Sequence, residues 1–168
     1  MNDKVKSILK EVLPFLVLII VVLLIKWFIV RPVQVKGDSM YPTLEEGDIM
    51  LLNEISYKIH GIKRFDIVVI DKGDELLIKR VIGLPGEEVE YKDNVLYING
   101  EVVEEPIDVE DGTTQDFKVT VQEDYYFVMG DNRTISWDSR ELGAFHISKI
   151  KGTTSITLFP FNRFGKKK

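Results

Sequence analysis

Two hydrophobic patterns divide the chain. From Val12 to Val30, nineteen consecutive positions hold a single charge, Lys26. A helix of that length rises about 28 Å, close to the hydrocarbon thickness of a bilayer. It has almost no polar face, which a buried helix of a soluble domain would normally show. A cleavable secretory leader would need small residues at its cut, and the run ends Ile29-Val30-Arg31-Pro32. The pattern predicts an uncleaved membrane anchor, with Lys26 reaching the headgroups and Trp27 in the interfacial belt. Pro14 is expected in the first turn, where a missing N–H costs little. Lys4, Lys6 and Lys10 precede the run and Lys26, Arg31 and Lys36 follow it, so flanking charge barely distinguishes the two orientations.

Beyond Val30 the helical period disappears. Val33-Gln34-Val35 alternates, and Asp48–Leu52, Phe65–Ile70 and Leu76–Ile82 are short apolar runs bounded by turn residues. Val89–Tyr91 and Val95–Ile98 flank Lys92-Asp93-Asn94, a hairpin signal, and Asn99-Gly100 makes a second turn. Phe117–Val121, Tyr125–Met129 and Ile150–Leu158 add further strands. The prediction is a mostly β domain over 32–168, an antiparallel sheet or partly closed barrel, joined to one N-terminal transmembrane helix within 1–31. The acidic stretch Glu101–Gln115, with Pro106 and Gly112, reads as a surface loop. The segment Ile156–Phe164 suits either a last core strand or a strip that dips into the interface.

Composition narrows the chemistry. Of 168 residues none is cysteine, which excludes disulfides, a thiol nucleophile and zinc–thiolate sites. The formal net charge of −5 argues against nucleic acid as the main partner. His60 and His146 are isolated and lack ligand spacing, so neither a metal nor a cofactor is expected. Without the anchor roughly 135 residues remain, enough for a core.

Three segments carry candidate chemistry. Ser39 follows the apolar run by nine positions, within Gly37-Asp38-Ser39-Met40-Tyr41-Pro42-Thr43-Leu44. Gly37 permits close backbone approach and Pro42 stiffens the turn. A reactive serine needs such a fixed Oγ and a nearby base, although a serine in a turn is ordinarily structural. Lys79 lies on a strand with Leu77 and Val81 on its own face. Burial there would lower its pKa toward about 7–8, the range of a general base; a solvated edge-strand lysine is the plainer alternative. Arg80, on the opposite face, suits an ion pair. The third segment, Gly130–Gly143, packs Asp131, Arg133, Ser136, Asp138, Ser139 and Arg140 into one loop. Carboxylate–guanidinium pairs there could brace a site, or the loop is simply a polar turn.

Taken together, the three segments resemble the type I signal peptidases, membrane-bound leader peptidases with a Ser/Lys dyad. Ser39–Leu44 is similar to the family's nucleophile box, Lys79–Glu87 to its lysine box, and Gly130–Arg133 with Ser136, Asp138, Ser139 and Arg140 to its last box. The resemblance implies that Ser39 Oγ attacks the scissile carbonyl and that Lys79 Nζ takes its proton. Ser136 would then orient the lysine, Asp138 and Arg140 would form a supporting pair, and Asp131 and Arg133 would brace the same loop. It places Val33, Val35, Met40, Leu44, Leu77 and Ile78 along a cleft for small side chains at the first and third positions before the cut. It implies a cytoplasmic N-terminus, an extracytoplasmic catalytic domain at the membrane lipid, and signal peptides of exported preproteins as substrate. The residue two before the nucleophile is Gly37, so the Ser39 N–H is left as one oxyanion donor and the second is unassigned. The short segment between the last two boxes fits the minimal Gram-positive form. A self-cleaving repressor-type protease would need a DNA-binding helical domain or a cleavable arm in place of the anchor. A non-catalytic tethered β domain would have no need of Ser39, Lys79 and Ser136 together.

Overall fold

A computed structural model describes residues 3–108 and 114–167. The chain divides into two compact units, Met1–Arg31 and Pro32–Lys168. The first is helix α1, Asp3–Ile29, 27 residues long. Pro14 is therefore well inside the helix and not in its first turn. The polar residues before Val12 continue the helix, and the proline removes one hydrogen bond from its interior. Side chains of α1 are described for 10–23. Among the described residues no helix is long and apolar enough to cross a membrane. The side chains of Lys26 and Trp27 lie outside the described residues.

The second unit is built of short strands, as the pattern predicts. They are β1 (Val30–Gln34), β2 (Ile49–Asn53), β3 (Ile67–Asp71), β4 (Leu76–Gly83), β5 (Glu88–Lys92), β6 (Val95–Ile98), β7 (Glu101–Val102), β8 (Phe117–Thr120), β9 (Tyr125–Met129), β10 (Phe145–His146), β11 (Ile150–Phe159) and β12 (Gly165–Lys166). Two short helices interrupt them, α2 (Ser56–His60) and α3 (Ser139–Leu142). The larger sheet runs β1-β2-β11-β3-β4-β9-β10, with β12 also on β11. The smaller sheet runs β7-β6-β5-β8.

The middle of the larger sheet is covered on both faces, which is why β3 and β4 read as continuous apolar runs. Ile67, Val69 and Ile78 pack with Val35, Met40, Leu44 and Met50, whereas Val68, Ile70 and Val81 pack with Tyr126, Val128 and Ile150. A third cluster, with Ile82, Met129 and Phe127 against Val89, Tyr91 and Leu96, joins the two sheets. At that seam Gly83 has no room for a side chain: a Cβ would sit 2.4 Å from Val89. The β5–β6 hairpin turns at Asp93 and Asn94, and β6–β7 at Asn99 and Gly100, all four with positive φ, the pattern of type I′ turns. Strand β3 starts two residues later than the apolar run suggests, because Phe65 adopts φ 68° and turns its carbonyl to Arg80 Nη1.

Candidate active site

Strand β4 supplies the lysine. Val68 on β3 stands opposite Lys79, and β9 pairs with β4 only from Arg80 onward. Lys79 thus sits where the β9 side of the strand first opens. Lys79 is nevertheless 3% exposed, unlike a solvated edge lysine. Burial pushes its pKa below the ordinary lysine value; Asp138 pulls the other way, and Arg140 adds to the lowering.

The serine comes from an irregular turn. Tyr41 N–H donates to Asp38 O at 3.1 Å and Leu44 N–H to Met40 O at 2.9 Å, winding the segment around Ser39. Gly37 has φ 72° and open space where a Cβ would be. Its requirement is the left-handed backbone, not the close approach expected of it. The turn delivers Ser39 Oγ to 2.6 Å from Lys79 Nζ. Among the described residues no acceptor takes the Ser39 N–H, which leaves that donor available.

Gly130 locks the turn to the last segment. Asn132 N–H donates to Ser39 O at 3.1 Å. A Cβ on Gly130 would lie 2.4 Å from Ser39 O and 2.1 Å from Ser136 Oγ. Gly130→Ala should therefore push the nucleophile turn off the lysine and cost at least ~10²-fold in kcat, the scale of a 1 Å misplacement. Steady-state kinetics of the folded variant check this; an unchanged kcat would show that the seam has slack.

The last segment is a polar scaffold. Asp138 is fully buried and accepts from Arg140 Nε and Nη2, both at 2.9 Å, from Gly130 N–H at 2.8 Å and from Ser136 Oγ at 2.7 Å. Burial alone would raise its pKa, but the Arg140 guanidinium, the Gly130 N–H and the Ser136 hydroxyl outweigh it and hold the carboxyl below its ordinary range. Asp138 also caps α3, with Glu141 completing a capping box. The Ser136 hydroxyl is thus committed to Asp138. Among the described residues no hydrogen bond joins it to Lys79, contrary to the resemblance, although its oxygen can still accept one.

Asp131 and Arg133 do not pair with each other. Asp131 takes Arg80 in a buried bidentate pair, Nε–Oδ1 2.7 Å and Nη2–Oδ2 2.5 Å, so Arg80 is the ion-pair residue its face suggests. Arg133 leaves the loop for the smaller sheet, donating to the Tyr91 hydroxyl at 2.5 Å and to Glu105. The Glu105 side chain is accordingly buried, while its neighbours Glu104, Pro106 and Asp108 stay exposed, as a surface loop requires. Residues 109–113 of that acidic stretch lie outside the described residues. Two contacts gave no sequence signal: Ser139 Oγ accepts Val128 N–H at 3.0 Å, and Arg80 Nη2 reaches Thr43 Oγ1 at 3.4 Å.

A cleft of about 590 Å³ opens beside the pair, lined by Val33, Val35, Met40, Leu77 and Ile78 together with Ser39 and Lys79. Leu44 does not line it. It is fully buried in the cluster with Met40, Val35 and Ile78. His60 ends α2 and lines a different cavity of about 410 Å³. The Nδ1 of His146 lies 2.8 Å from Ser148 Oγ. Neither histidine takes part in the Ser39–Lys79 contact.

A serine hydroxyl held against a buried lysine, with a backbone N–H that no described residue takes and an open cleft with apolar walls beside it, defines a hydrolase of the Ser/Lys class. The sequence matches the family model described as "Signal peptidase, peptidase S26" over residues 8–159. It is 43% identical to signal peptidase I S of Bacillus subtilis, over 98% of this chain and 96% of the relative. It is 40% identical to signal peptidase I of Bacillus caldolyticus, over 90% and 91%. A crystal structure of a signal peptidase I from Enterococcus faecalis aligns with TM-score 0.50 and 38% identity, covering 55% of this chain and 95% of that one. The chain belongs to the signal peptidase family, peptidase S26.

Proposed function

We infer that the chain removes signal peptides from exported preproteins by an acyl-enzyme route, with Ser39 as nucleophile and Lys79 as base. The observation that carries the assignment is the 2.6 Å Ser39 Oγ–Lys79 Nζ contact with a lysine whose burial favours the neutral amine. Neutral Lys79 takes the Ser39 proton as Oγ attacks the scissile carbonyl. It passes that proton to the leaving amine, then activates water against the ester. The Ser39 N–H stabilises the oxyanion. Ser136, Asp138 and Arg140 hold the lysine's surroundings, and Asp131 and Arg133 fix the loop that carries them.

An extended substrate fits the cleft. Its walls are β1, the last strand of the larger sheet, and the part of β4 before Arg80 that β9 leaves unpaired. Both offer backbone groups for strand addition. Val33, Val35, Met40, Leu77 and Ile78 would exclude bulky side chains at the first and third positions before the cut.

The anchor completes the reading. Residues 12–30 would span the bilayer with the N-terminus cytoplasmic and the 32–168 unit outside. Nine extended residues reach at most about 30 Å, which keeps Ser39 near the lipid surface. Phe159, Phe161 and Phe164 are 48%, 80% and 63% exposed. That exposure favours membrane contact for the C-terminal strip over ordinary core packing.

Cleavage of a model precursor by the full chain in vesicles should rise from acid toward mildly alkaline pH as Lys79 loses its proton. A lowered pKa brings that rise below the ordinary lysine range. A profile flat from acid to about pH 9 would remove Lys79 as the base.

A further inference from the structure

We propose that Arg163 is a positioning residue for the nucleophile turn, reaching it from the C-terminal end of the fold. The inference rests on Ser39 as nucleophile and adds a residue outside the three family segments.

Arg163 closes the short 3-10 turn Phe161–Arg163 that follows β11. Its guanidinium grips the loop after Ser39 at three residues. Nη1 lies 2.5 Å from Glu45 Oε1, Nε is 3.2 Å from each Asp48 oxygen, and Nη2 is 3.3 Å from Thr43 O. Asp48 is 1% exposed, so Arg163 supplies the opposite charge that a buried carboxylate requires.

Asp48 in turn ties the loop to the cleft wall. Its carbonyl accepts Val35 N–H at 2.8 Å, and its Oδ2 accepts Glu45 N–H at 3.1 Å. Thr43 is held from two sides, its carbonyl by Arg163 and its hydroxyl by Arg80. Leu44, the next residue, bonds back to Met40 beside Ser39. The nucleophile turn lies outside every strand ladder. Two guanidinium grips, one from the sheet and one from the C-terminal turn, add to the core packing of Met40 and Leu44 in fixing where Ser39 Oγ stands.

Lysine cannot copy this forked grip. In the full-length protein in vesicles, Arg163→Lys and Arg163→Gln should lower kcat for precursor cleavage about 10–100-fold, with KM changed less than about twofold. Rates are normalised to folded protein by thermal melts and circular dichroism. Acylation of Ser39 by a serine-directed covalent inhibitor should slow in parallel. A residue that merely stabilises the fold would lower the melting temperature and leave the normalised kcat intact. Wild-type kcat in folded Arg163→Gln would overturn the proposal, as would a loss confined to KM. If Arg163→Gln fails to fold, Arg163→Lys and Glu45→Gln decide on the same criteria, since each removes part of the grip. Ser39→Ala is run alongside. Cleavage that survives Ser39→Ala would overturn the dyad itself, whereas normal cleavage by the Arg163 variants alone overturns only the clamp.

Discussion

Ser39→Ala and Lys79→Met should each abolish precursor cleavage, and Lys79→Met should raise the melting temperature as it does so. The activity loss follows from a unit of two groups: without the hydroxyl no ester forms, and without the amine no proton is taken. Removing a base costs about 10²–10⁴ in rate. Members of one catalytic unit are not additive, so the double variant should be no slower than the worse single one. The stability gain follows from the lowered pKa. The unfolded chain binds the lysine proton more tightly than the folded one, so between the folded and unfolded pKa values stability rises with pH. The penalty is complete below the folded pKa and vanishes above the ordinary value near 10.5. Methionine escapes that penalty and keeps the apolar stem. Melts of both proteins at pH 6 and pH 9 should show a larger gain at pH 6. A Lys79→Met protein less stable than wild type at pH 6 would mean that the ammonium is well accommodated.

Asp131→Ala should be among the most damaging single changes outside the dyad. It removes the bidentate carboxylate from a fully buried Arg80 guanidinium. Breaking a buried pair from one side costs about 3–5 kcal/mol. For a domain of this size that lowers the melting temperature by roughly 10–15 °C. Replacing both partners, Arg80→Met with Asp131→Leu, should recover most of the loss, because buried pairs are often matched by apolar substitutes. Cleavage should not recover with it, since Thr43 loses the Arg80 contact. Melting curves and precursor assays on the single and double variants test both halves. A double variant as unstable as the single one would make the pair a net stabiliser of the sheet.

Local patterns made the longer strands, both hairpin turns and the three chemical segments legible in the sequence, but not β7, which lies in the stretch read as a surface loop, β12, or the one-turn helices α2 and α3. Alternation, Asn-Gly and dense polar clusters act over a few residues. The β4 run announced a strand that could bury Lys79, and the face opposite it announced Arg80 as an ion-pair residue. Partners distant in sequence were not legible. Nothing near Glu105 signals Arg133, and nothing near Asp48 signals Arg163; in both cases the partner comes from another part of the fold. Leu44 was placed along the cleft because the resemblance gives it a neighbourhood but not a direction. In the structure it packs into the core with Met40, Val35 and Ile78. Ser136 shows the same limit: its position beside the site was readable, but the hydroxyl's choice of Asp138 over Lys79 depends on where Gly130 lets the chains meet.

The two halves of the dyad belong to regions of unequal local cooperativity. Lys79 is held in the β3–β4 ladder and shares the fate of the sheet, whereas Ser39 sits in a turn held by loop hydrogen bonds, by the Arg80 and Arg163 grips and by Met40 and Leu44 in the core. Local opening of the serine turn then requires far less free energy than global unfolding. Because opening the turn withdraws Met40 and Leu44 from the core but leaves the strand ladders paired, mild denaturant should lower the enzyme's activity before its spectroscopic β signature is lost. Its functional lifetime is set by the loop and its structural lifetime by the sheet.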